Sequence, residues 1–274
     1  MLLAGCGSAG PAELDSQTAA ATGLPPGVGD CAFANLTTID ADHLAVAHAR
    51  PQAPYYVVHR LRSATGFDVD IAGEIATGLG FRTNQIVWSE LTRARDKDGR
   101  PLFDMAIAQL SKQTASAAVD LTKPYFTETQ ALIARPGTPM AKVTSSQELA
   151  DSTLGVVRGS TSQAYVTNVL GLDPVAYQST TVLKTAMRDR YITGMVVPVE
   201  EVAQILKTFT EDLVVVGQFP ADKDAKTYRV ALPAGDPLAA CVDEVLTKLT
   251  KSGRLDGLRA QWFAEGVNRI IKVQ

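Results

Sequence analysis

Two observations predict an α/β fold with parallel sheets. From residue 44 onward, short apolar runs alternate with stretches of helical periodicity, and Gly, Pro and Asp fall where such elements should start or stop. At 274 residues the chain is also long enough for two compact lobes or one large domain.

The elements follow in order. "LAVAHA" is strand-like and ends near Arg50-Pro51. In "GFDVDIAGEIATGLGF", Gly66 marks a turn, and Asp70 is placed to cap a helix with Ile71, Ile75 and Leu79 on one face. Gly80 supplies its stop. "TNQIVW" and "FDMAIAQL" are the next strands, followed by "ALIA" (131–134), "TLGVV" (153–157), "ITGMVVP" (192–198) and "DLVVVG" (212–217). Helical stretches intervene at "SSQELA", "SQAYVTNVL", "TTVLKTAMRDR" and "VEEVAQILKTF". Near the end, "YRVALP" reads as a strand. Asp236 is then a helix cap and Pro237 the first helical position, Leu238, Val242, Val245 and Leu249 form the buried face, and Gly253 terminates the helix. A last helix carries Leu255, Leu258 and Trp262 at helical spacing, which assigns Trp262 to the core.

Charge and composition narrow the function. A net charge of −3 without a long basic run argues against a nucleic-acid partner. No segment approaches the roughly 20 uninterrupted apolar residues of a membrane span. His43, His48 and His59 lack metal-ligand spacing, so no metal and no cofactor is expected. A Gly-rich nucleotide loop, a nucleophile elbow and a paired-carboxylate signature are all missing, and no catalytic residue is assigned.

The N-terminus is of another kind. Leu3-Ala4-Gly5-Cys6 resembles a bacterial lipobox, which implies lipidation at Cys6, with residues 1–6 as the remnant of a signal peptide. The basic region and most of the apolar region of such a signal are absent, so the sequence is expected to begin inside a longer one. Residues 7–30, rich in Gly, Ala, Ser, Thr and Pro, read as a flexible tether. Cys31 and Cys241 remain: in an exported chain they permit a disulfide, while Cys241 on an apolar helix face is equally well read as a small buried hydrophobe.

Five segments, in order, resemble the bacterial extracytoplasmic solute-binding proteins of amino-acid ABC importers, family 3: "TGFDVDIAGEIATGLG", "FDMAIAQLSKQTASAAVDLTKPYF", "LGVVRGSTSQAY", "YRVALPAGDPL" and "LTKLTKSGRLDGLRAQWF". The resemblance covers about residues 40–266. It implies a two-lobe periplasmic-binding-protein fold of type II with two crossing strands, near Ala131–Ala134 and Tyr228–Leu232. Residues 31–132 plus 228–274 would form the first lobe, and 133–227 the second. A solute would sit between the lobes and close them.

The same resemblance locates the site. The family's carboxylate-clamping Arg falls here on Ala115, or on Ser116, and its ammonium-pairing Asp on Pro198, with Glu200 and Glu201 just beyond. Lys112 is the nearest cation to the first position. The expected ligand contacts are Tyr55 and Trp88 as aromatic walls, Ser111, Lys112, Thr114 and Ser116 on one lobe, and Arg158, Gly159, Ser160 and Thr161 on the other. Ser160 or Thr161 capping its own helix is the alternative for that turn. The implied function is an extracytoplasmic, lipid-anchored, monomeric binding protein delivering an amino acid or derivative to an ABC permease, without turnover. The alternatives are a ligand-sensing lipoprotein signalling to a membrane receptor, and a periplasmic dehydratase of the same fold.

Overall fold

The computed structural model describes residues 29–59, 63–112, 114–209, 212–264 and 266–274. Cys6, most of the expected tether and the signal remnant lie outside the described residues. Two five-stranded sheets organise the chain. The first has the order β4-β1-β5-β12-β6, where β1 is Leu44–His48, β4 Ile86–Glu90, β5 Met105–Leu110, β6 Val119–Thr127 and β12 Thr227–Pro233. The second has the order β11-β7-β10-β8-β9, where β7 is Gln130–Ala134, β8 Leu154–Val157, β9 Val175–Tyr177, β10 Gly194–Pro198 and β11 Val214–Gln218. A two-residue pair, β2 (Val57–Val58) with β3 (Ala64–Thr65), sits beside the first sheet's leading helix.

Neither sheet is purely parallel, which corrects the sequence expectation. β1 runs parallel to β4 and β5, and β8 runs parallel to β10 and β9. The antiparallel pairings are β12 with β5 and β6, and β7 with β10 and β11. Each involves a strand adjoining a crossing, where the chain arrives from the other sheet and runs back against its neighbours.

The connections between the sheets lie just before the two strands named above. The first sheet ends at Thr127 and the second begins at Gln130, so the first crossing is Glu128-Thr129 and Ala131–Ala134 already lies inside the second sheet. The return occupies 219–226, before Tyr228. The C-terminal tail belongs with the second sheet rather than the first: Ile270 bridges to Gln218, Lys272 to Ser145, and Ile271 is buried in the second core. Its alternating burial, with Ile271 in and Ile270 out, is that of an added edge strand.

Helix α1 (Phe67–Leu79) covers the first sheet, with Ile71, Ile75 and Leu79 fully buried and Gly80 closing it in the left-handed region. It starts three residues before Asp70, which is not its cap. The Asp70 carboxylate instead accepts the indole N–H of Trp262 at 2.7 Å. Trp262 is therefore half-buried at a polar contact. On the same layer lie α5 (Leu238–Lys251) and α6 (Arg254–Phe263). Asp236 holds the first amide of α5, that of Leu238, at 2.9 Å, and Gly253 at φ 74° ends it. In the second half, α2 (Thr161–Asn168), α3 (Thr180–Arg188) and α4 (Val202–Thr208) flank the sheet, while "SSQELA" forms only a 3-10 turn, Ser146–Leu149.

Alternation along the second sheet divides the core. Ala131 and Ile133 of β7, with Met195 and Val197 of β10, face α3 and α4, and they join the core of the first sheet. Leu132, Ala134 and Val196 face the other way, into a second core with Tyr165, Phe219 and Ile271. The uninterrupted apolar runs of the sequence reflect this burial on both faces.

Cys31 and Cys241 are bonded, fastening the segment before β1 to α5 across 210 residues of sequence. Closing so long a loop restricts the unfolded chain, so Cys31→Ser should lower unfolding free energy by about 2–4 kcal/mol in urea denaturation. Adding reductant to that variant should lower it no further.

Candidate ligand-binding site

The loop ahead of α1 places Tyr55. The first amides of α1 are donors without partners inside the helix, and they take loop carbonyls instead: Phe67 N–H reaches Pro54 O at 2.9 Å and Asp68 N–H reaches Tyr55 O at 3.0 Å. Gly66 is required here, because any Cβ at that position would lie 2.0 Å from Tyr55 O. Docked in this way, Tyr55 packs edge-on against Tyr228, Phe67 and Phe263 and is only 5% exposed. Its buried hydroxyl lies beside that of Tyr228, without the alignment of a hydrogen bond.

Opposite Tyr55 stands the second half of the molecule. β10 ends at Pro198, and the chain turns through Val199–Glu201 into α4. Val199 N–H donates to Thr129 O at 3.0 Å, which fixes the turn against the first crossing. Glu200 and Glu201 emerge there into a cleft of about 670 Å³ shared with Tyr55, Tyr228, Thr180 and Lys184. Thr180 donates to Glu201 Oε2 at 3.3 Å. Glu200 Oε2 is buried with no hydrogen-bond partner. Burial, reinforced by the neighbouring Glu128 carboxylate, pushes Glu200 up to about 7, and burial pushes Glu201 up as well.

A second buried carboxylate lies deeper. Asp68 accepts from Tyr125 at 3.0 Å and from the Gln109 amide, yet burial outweighs both bonds and lifts it to about 7. Gln109 holds a left-handed backbone, φ 49°, at the end of β5, and its side chain is spent on Asp68 rather than on the cleft.

The expected contacts divide. Of the ten, only Tyr55 lines this cleft. Ser111 is 1% exposed, and the Thr114 hydroxyl accepts its N–H at 2.9 Å, so these hydroxyls build their own turn. Lys112 and Ser116 are exposed on that loop. Trp88 is half-buried in a cluster with Tyr56 at 5.4 Å and His48 at 6.1 Å, while His48 stacks on Tyr56 at 3.9 Å. On the other lobe Ser160 caps α2, accepting from Gln163 N at 3.2 Å, and Gly159 N–H donates to the Gln163 side chain at 2.7 Å. The Arg158 backbone amide extends the sheet to Tyr177 O at 2.7 Å. Thr161 meets Gln130, which also accepts from Ser162, so this turn is tied to the start of β7.

Sequence reasoning noted Glu200 and Glu201 but placed neither among the contacts, and it missed Thr180, Lys184 and Tyr228. The available signal was the acidic pair one residue beyond the strand-ending Pro198. A second recess, about 610 Å³, lies within the second half alone and is lined by Arg135, Met140, Glu148 and Arg190. It touches neither crossing. Among the described residues, no group of three His, Cys, Asp or Glu is placed to hold a metal ion.

Because Glu200 titrates near 7 when folded and near 4.5 when unfolded, the folded state holds the extra proton between those values. Stability of the ligand-free protein should therefore fall as pH rises from 5 to 8. Glu200→Gln should flatten part of that fall in melts across the pH series, and an unchanged slope would remove Glu200 from the account.

Comparison with known proteins bears on the fold and the family. Residues 44–265 match the family model of bacterial extracellular solute-binding proteins, family 3. No curated protein matches. Among solved structures, the L-cystine solute receptor of Neisseria gonorrhoeae, in an unliganded open conformation, aligns over 85% of this chain and 95% of its own, with 19% identity and a TM-score of 0.61. Substrate binding domain 2 of Lactococcus lactis GlnP aligns over 81% and 95%, with 17% identity and a TM-score of 0.60. An ancestral cyclohexadienyl dehydratase aligns over 81% and 92%, with 18% identity and a TM-score of 0.61. These likenesses are of fold, the two-lobe type II periplasmic-binding-protein fold. With the family match spanning most of its length, the chain belongs to the bacterial extracellular solute-binding proteins, family 3.

Proposed function

We propose that the protein is a lipid-anchored extracytoplasmic receptor that captures a small polar solute, an amino acid or a derivative, between its two lobes and delivers it to an ABC importer. The observation that carries this reading is that Glu200 Oε2 and the Tyr55 hydroxyl, from the two lobes, are both buried without a hydrogen-bond partner and their residues line one cleft. Buried polar atoms are ordinarily paired, and two such atoms from different lobes mark a place where a ligand supplies the missing bonds. An ammonium group suits both: it gives the carboxylate a counter-charge and offers the phenol oxygen a donor. Anchoring would come from lipidated Cys6 and the 7–30 tether, and no chemical step is required.

A second reading is dehydration of a small carboxylic acid. A carboxyl group near 7 can hold a proton at neutral pH and give it to a hydroxyl leaving as water, while a neighbouring C–H bond supplies the electrons of the new double bond and its proton passes to solvent; Glu200 suits the acid's part.

Thermal melts of the full chain against amino acids, amines, dicarboxylates and sugars separate these readings. A captured solute at a hundredfold excess over Kd should add about 2.7 kcal/mol of stability and be recovered unchanged. Glu200→Gln should weaken binding of that solute about 10- to 100-fold, as loss of a charged hydrogen-bond partner does. A product in the recovered ligand would establish the dehydratase reading, and silence across the panel would overturn solute capture.

A further inference from the structure

The interlobe cleft has two poles. Its lining includes Glu200, Glu201 and Tyr55, and also Lys184 and Lys207. The two ends are laid out along one helix. Thr180 of α3 donates to Glu201 at the acidic end, and Lys184, on the same face of α3, donates to Thr208 of α4 at 2.9 Å at the other. The Lys184 ammonium thus sits at the far end of α4 from Glu201, seven residues or about 10 Å along that helix at about 1.5 Å per residue. The groove between α3 and α4 thus runs from an anionic end to a cationic one. A smaller recess, lined by Lys184, Arg188 and Thr208, continues it past the basic end.

Acidic side chains alone would not define a ligand position. The independent mark is Tyr55: 5% exposed, contributed by the opposite lobe, and with a buried hydroxyl that has no aligned hydrogen bond among the described residues, the Tyr228 hydroxyl being its neighbour. Glu200 Oε2 is unsatisfied at the same end. Lys184 has only a threonine hydroxyl and no carboxylate within ion-pair distance among the described residues, so it can accept an anionic group without breaking an existing pair.

We infer that this groove selects solutes whose ammonium and carboxylate groups lie at opposite ends of a short chain, the class of ω-amino acids, in preference to simple α-amino acids. The ammonium binds between Glu200, Glu201 and Tyr55, and the carboxylate binds Lys184. In an α-amino acid both charges sit on one carbon, so a molecule placed at either pole leaves the other unmatched. The sequence agrees in one respect, since the loop Ser111–Ser116 carries no guanidinium to clamp an α-carboxylate. The inference rests on solute capture between the lobes and specifies its chemistry.

Titration calorimetry of the full chain with two isomers provides the test. The probes are δ-aminovalerate, with its charges at opposite ends, and norvaline, with both on one carbon; pentylamine and valerate supply the single poles. δ-Aminovalerate should bind at least tenfold more tightly than each of the other three. Lys184→Met should cost at least tenfold on δ-aminovalerate while leaving pentylamine unchanged, a pattern that global destabilisation would not produce. Norvaline binding as tightly as δ-aminovalerate overturns the two-pole site and leaves solute capture standing. So does tight binding of some other polar solute with none of δ-aminovalerate. Absence of binding by every compound here and in the broader panel overturns both.

Discussion

The Arg259 guanidinium sits where the two sheets are joined. It projects from α6, lies 5.0 Å above the Phe126 ring, and donates to Gln218 at 3.0 Å and to Thr129 at 3.3 Å. Thr129 is in the first crossing, and Gln218 is the last residue before the second. One side chain therefore holds both connections, and Thr129 in turn donates to Gln218. A crossing between sheets cannot satisfy its polar groups through a ladder, so they need side-chain partners when buried. Arg259, Gln130 and Gln218 supply them. α6 also packs on the turn carrying Glu200, so the element that fixes the crossings is the one that backs the cleft.

That arrangement explains why the cleft is electrostatically unfinished. Glu128, Glu200 and Glu201 converge on the crossings from different segments, while Arg259 and Lys226 act on Glu200 at longer range without an ion pair among the described residues. A buried carboxylate oxygen without a partner, such as Glu200 Oε2, destabilises the ligand-free protein, and in a fold of marginal stability such a cost persists where function requires it. A cationic group arriving in the cleft removes the cost. Binding and the ionisation of Glu200 are then the same event viewed from two sides.

Much of the scaffold could be read from the sequence because its signals were local. Ile71, Ile75 and Leu79 give α1 its face, Gly80 and Gly253 stop their helices, and Asp236 takes the first amide of α5. What could not be read depends on contacts distant in sequence. Strand direction follows from which sheet the chain has just left, so the antiparallel pairs of β7 and β12 carry no local mark. The tail's pairing with Gln218 joins residues more than 50 positions apart. The same limit applies at the site. The hydroxyls of Ser111 and Thr114 looked available because sequence does not reveal that they close their own turn, and for Ser160 it left ligand contact and helix capping both open. Glu200 looked two residues out of register, because the length of the turn after Pro198 was invisible until Val199 was seen bonded to Thr129.

The claim that Glu200 receives a cationic solute is tested most directly by counting protons. At pH 7 a carboxyl that titrates near 7 is about half protonated, and a bound cation drives it to the ionised form. Calorimetric titration of any binding solute in two buffers of different ionisation enthalpy should then report release of a fraction of a proton per site. That release should vanish above pH 8.5 and in Glu200→Gln. Binding with no proton released at pH 7, or with the same release in the variant, would contradict the account.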